Sequence, residues 1–450
     1  MNKLQAGFGR VNINPVMGIE IAGYYKTRKA EGILDDLEIN ALALACGDKK
    51  MVLLSIDNCG VRKELTDRIR NYISERTGVP ADAVMIAATH THTGPKMYPD
   101  TTDPVVLDYI EFAVKRAGDA AQFALDDLKP ANMGWAIGQA PNIAFVRRYR
   151  MKDGSIKTNP GVNNPDILAP IGDVDERVNV IRFDREGAES LVLVNFGNHP
   201  DTVGGNLISG DWPNFVRKTV EKSIDNTKCI FFNGAQGDVN HVNVHPVGGD
   251  LNGMFMDFDD VSRGYSHAKH LGNVVAGAVL QVYEKVKYEE VSDIGYVEWP
   301  IKVPSNRATA EQLVEAKKIN ELHLADKDDE IPYTGMMLTT VVAEAARMVA
   351  LENGPDAFDM ALGGYKFGPV AMVAIPGEPF TGVGRGLKET EGYDVIMPVC
   401  DANGAQGYFP MQEAYDEGGY ESRSSKFKAG VAEQIISEGQ KMLRDLGGKK

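Results

Sequence analysis

Two rhythms of apolar and polar positions run through the 450-residue chain. Residues 37–46 and 51–57 are β-rich runs on either side of Gly47-Asp48, which predicts a hairpin. Residues 61–77 repeat apolar side chains at helical spacing (Leu65, Ile69, Ile73), predicting a helix. The continuous apolar run Val84–Ala88 predicts a buried strand, followed by the turn signal Gly94-Pro95. A helix is expected over 105–128, stopped by Pro130. The two rhythms go on alternating. A hairpin 178–183/190–196 turns about Gly187, and a helix over 212–220 leads to a short buried strand at 229–232. Then come a long helix over 264–286, a strand at 295–303, helices over 308–322 and 336–351, and strands at 368–375 and 394–399. An amphipathic helix over 426–446 closes the chain, with a Gly-Gly-Lys-Lys tail expected to fray. Strands interleaved with helices predict an α/β fold, a mixed sheet with helices packed on it.

Between these elements lie two irregular stretches. Residues 142–170 are rich in Gly and Pro, and residues 241–262 read as a lid-like surface insertion. A cut near 286–296 would separate two lobes, yet residues of chemical interest lie on both sides of it. Residues 1–450 are therefore read as a single domain. With 43% hydrophobic and 25% charged residues the composition is that of an ordinary globular protein. The net charge of −15 argues against a nucleic-acid backbone or an anionic membrane surface as partner. No apolar run reaches the roughly 18 residues of a membrane span. No export signal opens the chain, and Cys46, Cys59, Cys229 and Cys400 are scattered; both point to a reducing, cytoplasmic setting. The oligomeric state has no sequence signal.

Candidate chemistry clusters where apolar runs end. After Val84–Ala88 come His90 and His92, which on an extended backbone would project to the same side. They either begin a zinc site or merely cap a strand. The run 190–196 leads to His199, and 229–232 leads to Asp238 and Asn240. The run 368–375 stops at Glu378 between prolines, and 394–399 leads to Tyr408. Two histidines and a glutamate are a ligand set of hydrolytic zinc. A further histidine could shuttle a proton, and a tyrosine or arginine could stabilise an oxyanion. Arg147, Arg148 and Arg150 either bind a substrate anion or pair with local acids such as Asp153. Asp57-Asn58 reads as a turn or helix cap, less readily as part of a site. His241 and His245 lack a carboxylate of clear spacing, and His267 and His270 read as surface residues.

His90-Thr91-His92-Thr93-Gly94-Pro95 resembles the THTHSGP signature of the neutral/alkaline (non-lysosomal) ceramidase family. Further stretches match in the family's order: Ala6-Gly7-Phe8-Gly9-Arg10, Gly23-Tyr24, Ser55-Ile56-Asp57, Asn198-His199-Pro200, Ile208-Ser209-Gly210-Asp211, Asn233 to Val239, Pro376-Gly377-Glu378, and Asn403 to Tyr408 with Tyr415 and Tyr420-Glu421. The resemblance implies the family's catalytic domain, a zinc amidase acting on an N-acyl bond through metal-activated water. It implies zinc held by His90, His199, Glu378 and Tyr408, with His92 as acid/base and Arg147 facing the substrate. The chain reads Gly237-Asp238-Val239-Asn240 where the family reads GDVS. Asn240 can donate a hydrogen bond there but cannot be a nucleophile. The family's C-terminal immunoglobulin-like domain is not expected. Arg28 and Arg147-Arg148-Tyr149 suit a small polar or anionic amide substrate as readily as a lipid. Two other functions stay open: a metal-dependent lyase or isomerase on a carbonyl compound, and a metal-stabilised binding protein without turnover.

Overall fold

The structure, a computed structural model, describes residues 3–447; the tail expected to fray lies outside them from residue 448. The larger sheet has nine strands. From one edge the order is Thr227–Asn233, Ser190–Phe196, Arg177–Arg185, Lys129–Gln139, Gln5–Asn12, Glu38–Cys46, Lys49–Ile56 and Val84–Ala88, with Lys287–Glu289 also paired to Lys129–Gln139. Its neighbours are antiparallel except the outermost pair at each edge: Ser190–Phe196 runs parallel to Thr227–Asn233 and Lys49–Ile56 to Val84–Ala88. A four-stranded sheet follows the order Ile294–Pro304, Ala357–Phe367, Val370–Ala374, Val395–Val399, and its last pair is parallel. The fold is α/β with mixed sheets, as the alternating rhythms predict.

The parallel pairs position the site. Parallel neighbours need a crossover, usually a helix, and helices Lys63–Thr77, Asp211–Ser223 and Thr381–Lys388 supply the three here. Strands of such units carry ligands beyond their carboxyl ends, and these ends are stitched together. Ala88 N–H donates to Asp401 O at 3.1 Å, Asn403 N–H to Ile86 O at 2.7 Å, and Cys400 N–H to Asn233 O at 3.0 Å. The Asn233 side chain reaches Thr89 O at 3.2 Å.

One hydrophobic cluster joins the sheets, with Met85, Ile86, Ile181 and Phe183 of the larger packed among Tyr365, Phe367 and Met372 of the smaller. Helix Pro104–Asp126 begins where Asp103 accepts from Val105 N–H at 2.9 Å. It lies so close to Gln5–Asn12 that a Cβ on Gly7 or Gly9 would sit 2.1 Å from a helix carbonyl. Helices Asp211–Ser223 and Tyr265–Val282 enclose a second cluster around Trp212 and Phe231. Among the described residues no helix is long and apolar enough to cross a membrane, and no two of the four cysteines form a disulfide.

Three expectations change. Strands Lys129–Gln139 and Ala357–Phe367 stand where no element was expected. The closing helix starts only at Val431, because Gly430 adopts φ +95° and the residues before it are not helical. Of the two readings of Asp57-Asn58, the turn holds, with Asn58 Oδ1 accepting Gly60 N–H at 3.2 Å, and the helix cap does not. Asp57 forms a buried two-point ion pair with Arg217, at 3.0 and 2.6 Å, while Asn58 donates to Pro95 O at 2.7 Å.

Candidate metal centre

His90, His199 and Glu378 converge although they come from three different strand ends. Nε2 of His90 and Nε2 of His199 are 3.2 Å apart, and each lies 3.4 Å from Glu378 Oε2. The three ligand atoms fall within 4.8 Å of one another, and all three residues are buried. His199 Nδ1 lies 3.2 Å from the Gln236 carbonyl. A carbonyl only accepts, so Nδ1 carries the hydrogen and Nε2 presents a lone pair. Asp401 Oδ2 stands 2.8 Å from His90 Nδ1, a charged acceptor that favours a hydrogen on Nδ1 and a lone pair on Nε2. Glu378 Oε2 is buried with no hydrogen-bond donor. Two imidazole nitrogens and an unpartnered carboxylate oxygen at these separations fit a divalent cation with a nitrogen-and-oxygen donor set.

Burial and mutual charge shift all three groups. Burial opposes charge on His90, but Glu378 and Asp401 outweigh it and push the ring up to about 9. Burial holds His199 well below its ordinary range, and Arg147 and the neighbouring imidazoles add to this. Burial raises the Glu378 carboxyl.

The His-x-His pair converges by a route the β-alternation argument did not contain. The strand stops at Ala88, and His90 sits in the left-handed region at φ +74°. That conformation is strained for a residue with a Cβ and persists only where the surroundings impose it; His90 N–H donates to Asn58 O at 2.8 Å. A turn, not a strand face, brings His92 Nε2 to 3.2 Å from His90 Nε2. His92 Nδ1 lies 3.5 Å from Asp201, whose carboxylate takes two bonds of 2.9 Å from Arg263 and one from the Tyr24 hydroxyl. Burial drives His92 down to about 3 against the opposing pull of the Asp201 carboxylate, so the ring rests neutral with a nitrogen open to a proton. Gly23, at φ +103°, lets this loop close, since a Cβ there would meet His92 at 2.8 Å.

Tyr408 stacks on His199 with ring centroids 6.4 Å apart, and its hydroxyl lies beside Glu378 and Arg147. Glu378 and Tyr408 are paired neighbours in a short parallel ladder. The Arg147 guanidinium sits 5.3 Å from the Tyr408 ring centre and donates to Glu421 at 2.7 Å and to Gly237 O at 2.8 Å. Arg148 and Arg150 both pair with Glu417. The arginines therefore pair with acids, but with residues far along the chain and not with Asp153, which binds Ser155.

Asp238 accepts from Thr381 N–H at 2.7 Å and from its hydroxyl at 2.9 Å. It anchors the start of the helix that follows Glu378. The Asn240 amide is engaged by Asn159 at 2.9 Å and by Val242 N–H at 3.0 Å, and none of the cluster's contacts involves it. His241 Nε2 donates to Ser262 O at 2.6 Å, and His241, His267 and His270 border a separate cavity of about 480 Å³. Sequence reasoning assigned no role to Asp401, Asp201, Gln236 or Cys59. Cys59 forms a second group with His90 and His92 whose ligand atoms also lie within 4.8 Å. The centre opens on a cavity of about 830 Å³ bordered by His90, Glu378 and Asp401.

No protein-family model matches the chain, and no curated protein matches it in sequence. Among solved structures, neutral ceramidase from Pseudomonas aeruginosa matches with a TM-score of 0.72 at 16% identity, covering 98% of this chain and 74% of that one. A ceramidase complexed with C2 matches with a TM-score of 0.70 at 15% identity, covering 100% of this chain and 77% of that one. The chain therefore has the neutral ceramidase fold over nearly its whole length, in agreement with the motif resemblance.

Proposed function

We propose that the protein is a zinc-dependent hydrolase that cleaves an amide (N-acyl) bond. The observation that carries this reading is the meeting of His90, His199 and Glu378, with an unpartnered carboxylate oxygen, at the floor of an open cavity. His90, His199 and Glu378 would hold the cation, with Tyr408 beside them. When bound, a zinc ion there supplies a water nucleophile at neutral pH and polarises the scissile carbonyl.

The chain's own residues do the rest. His92 is backed by the Asp201–Arg263 pair and stands beside the centre, so it takes the proton from water at Nε2 and passes it to the leaving nitrogen. Asp201 stabilises the imidazolium that forms and keeps the ring oriented. The Tyr408 hydroxyl, polarised by the Arg147 guanidinium, donates to the carbonyl oxygen as negative charge develops. Asp238 and Gly237 fix the backbone that carries Glu378: Gly237 N–H donates to Pro379 O at 2.8 Å.

Metal content of the purified protein and of His90→Ala and Glu378→Ala, with turnover of N-acyl compounds in oxygen-18 water, tests the reading. Expected are about one zinc per chain, its loss in both variants, and solvent oxygen in the carboxylate product. Full zinc retention in both variants, or carbonyl chemistry without solvent oxygen, overturns it.

A further inference from the structure

We infer that the substrate carries a carboxylate beside its amide, and that Lys426, with Arg62 next to it, is the docking point for that carboxylate. This deepens the amide-hydrolase reading and rests on it for the reaction, though not for the binding.

The cavity beside His90 and Glu378 is lined mainly by charged and polar side chains. Its lining includes Arg62, Lys63 and Lys426 but no Leu, Ile, Val, Phe or Met. An acyl chain of a lipid needs apolar walls to repay its transfer from water, and this lining offers none beyond small side chains, one proline and the rings of Tyr25 and Tyr98.

The charges on the lining are unequal in availability. Glu378 and Asp401 face the imidazoles. Arg62 is shared with Asp100 at 3.0 Å and lies over the Tyr98 ring at 4.0 Å. Lys63 is held by Asp67 at 2.6 Å. Lys426 has aromatic neighbours instead of an acid: its Nζ lies 5.4 Å from the Phe358 ring centre and 5.9 Å from that of Phe427. Glu64, exposed at the rim, is the acid whose field reaches it. The backbone fixes its place, since Asn306 N–H donates to Lys426 O at 2.8 Å and Lys428 N–H to Pro304 O at 3.0 Å.

A partly desolvated ammonium without a carboxylate partner is an unfavourable arrangement for stability alone. Burial, reinforced by Arg62, lowers Lys426 to about 8, so it still carries its charge at neutral pH. An incoming anion supplies the missing counter-charge. One free ammonium, beside a guanidinium already shared, matches the single charge of a carboxylate better than a doubly charged phosphate. The arginines at 147, 148 and 150, which first suggested an anionic substrate, are each already paired with Glu417 or Glu421 and do not border this cavity. The anion preference instead belongs to residues that border the cavity.

The test uses the metal-loaded full chain and matched pairs of N-acyl compounds. N-acetyl-β-alanine is set against its carboxamide, and a succinyl anilide against its succinamoyl counterpart, so that charge is varied on each side of the scissile bond. Hydrolysis is followed as kcat/KM and binding by calorimetry. The carboxylate member of at least one pair should be favoured about 10- to 100-fold. Lys426→Met should bring that ratio close to one, and Lys426→Arg should restore it. Carboxylate-selective binding that needs Lys426, with no hydrolysis of any pair, upholds the docking point and overturns the hydrolase reading. Failure to bind carboxylates, equal treatment of carboxylate and carboxamide, or selectivity that survives in Lys426→Met overturns the docking point, whatever the turnover.

Discussion

Asp401→Asn isolates what the residue behind His90 does for the metal. Asp401 is buried, its backbone N–H is fixed to Gly377 O at 2.9 Å, and its Oδ2 stands 2.8 Å from His90 Nδ1. Asparagine has the same shape but no charge, and it can turn an NH₂ donor toward the ring. Either change works against the tautomer that leaves Nε2 free to ligate. If the amide donates to Nδ1, the hydrogen moves to Nε2, which lies 3.2 Å from His199 Nε2 and 3.4 Å from Glu378 Oε2. Loss of such an outer partner of a ligating histidine lowers metal affinity about 10- to 100-fold, or about 1.4–2.8 kcal/mol. The direct comparison is Glu378→Gln, which removes a ligand charge and should cost more. Zinc affinity is read by competition with a chromogenic chelator at fixed pH, with circular dichroism to establish that the fold is intact. Affinity within twofold of the parent in a folded Asp401→Asn protein would refute the reasoning. It would mean that the backbone carbonyl of Cys59, the other acceptor near this ring, sets the tautomer alone.

Three further outcomes are expected. Asp57→Ala leaves the Arg217 guanidinium, 1% exposed, without its two-point partner; urea unfolding should show a loss of about 3–5 kcal/mol, and a loss below about 1 kcal/mol would contradict the buried pair. Gly9→Ala forces a Cβ to 2.1 Å from Ala120 O and should lower stability by about 1–3 kcal/mol as helix and strand separate; an unchanged unfolding midpoint would contradict the close approach. Carboxylate-selective binding should be complete at pH 7 and fall as pH rises through about 8, where burial and Arg62, against Glu64, place the loss of the Lys426 proton. The sign follows because a bound carboxylate raises the ammonium's pKa, so affinity is lost above the free value. In Lys426→Arg the selectivity should persist above pH 9, and an identical pH profile would contradict the assignment.

The residues of the candidate metal centre were legible because each follows an apolar run: His90 after Val84–Ala88, His199 after Ser190–Phe196, Glu378 after Val370–Ala374. Their supports were not, because nothing local marks them. Asp401 and Asp201 acquire a role only when a ring from elsewhere in the chain arrives beside them. The two missed strands failed for a related reason. Both strands carry glycines inside them, Gly134 and Gly138 in Lys129–Gln139 and Gly363 and Gly364 in Ala357–Phe367, and glycine weakens a strand pattern. In the fold a Cβ on Gly138 would meet Ala278 O at 2.6 Å, and one on Gly364 would meet Val297 at 3.1 Å. Those glycines answer to packing partners more than 100 residues away in one case and more than 60 in the other.

The expected start of the last helix shows how a small boundary error conceals a functional residue. With the helix begun at residue 426, Lys426 reads as one more charge on a solvated face. In the structure the helix waits for Gly430 and starts at Val431. Residues 426–428 instead hydrogen-bond to the 304–306 segment that ends strand Ile294–Pro304. That course sets the Lys426 ammonium beside the Phe358 and Phe427 rings, on the wall of the cavity that contains His90 and Glu378. A helix-forming substitution at Gly430 therefore bears on selectivity more than on chemistry. Gly430→Ala, strained at φ +95°, should relax by drawing residues 426–429 toward helix, moving Lys426 off the wall. The expected result is lost preference for carboxylate over carboxamide with zinc affinity retained. Preserved preference in a folded Gly430→Ala protein would show that the backbone course before the helix is not what aims the lysine.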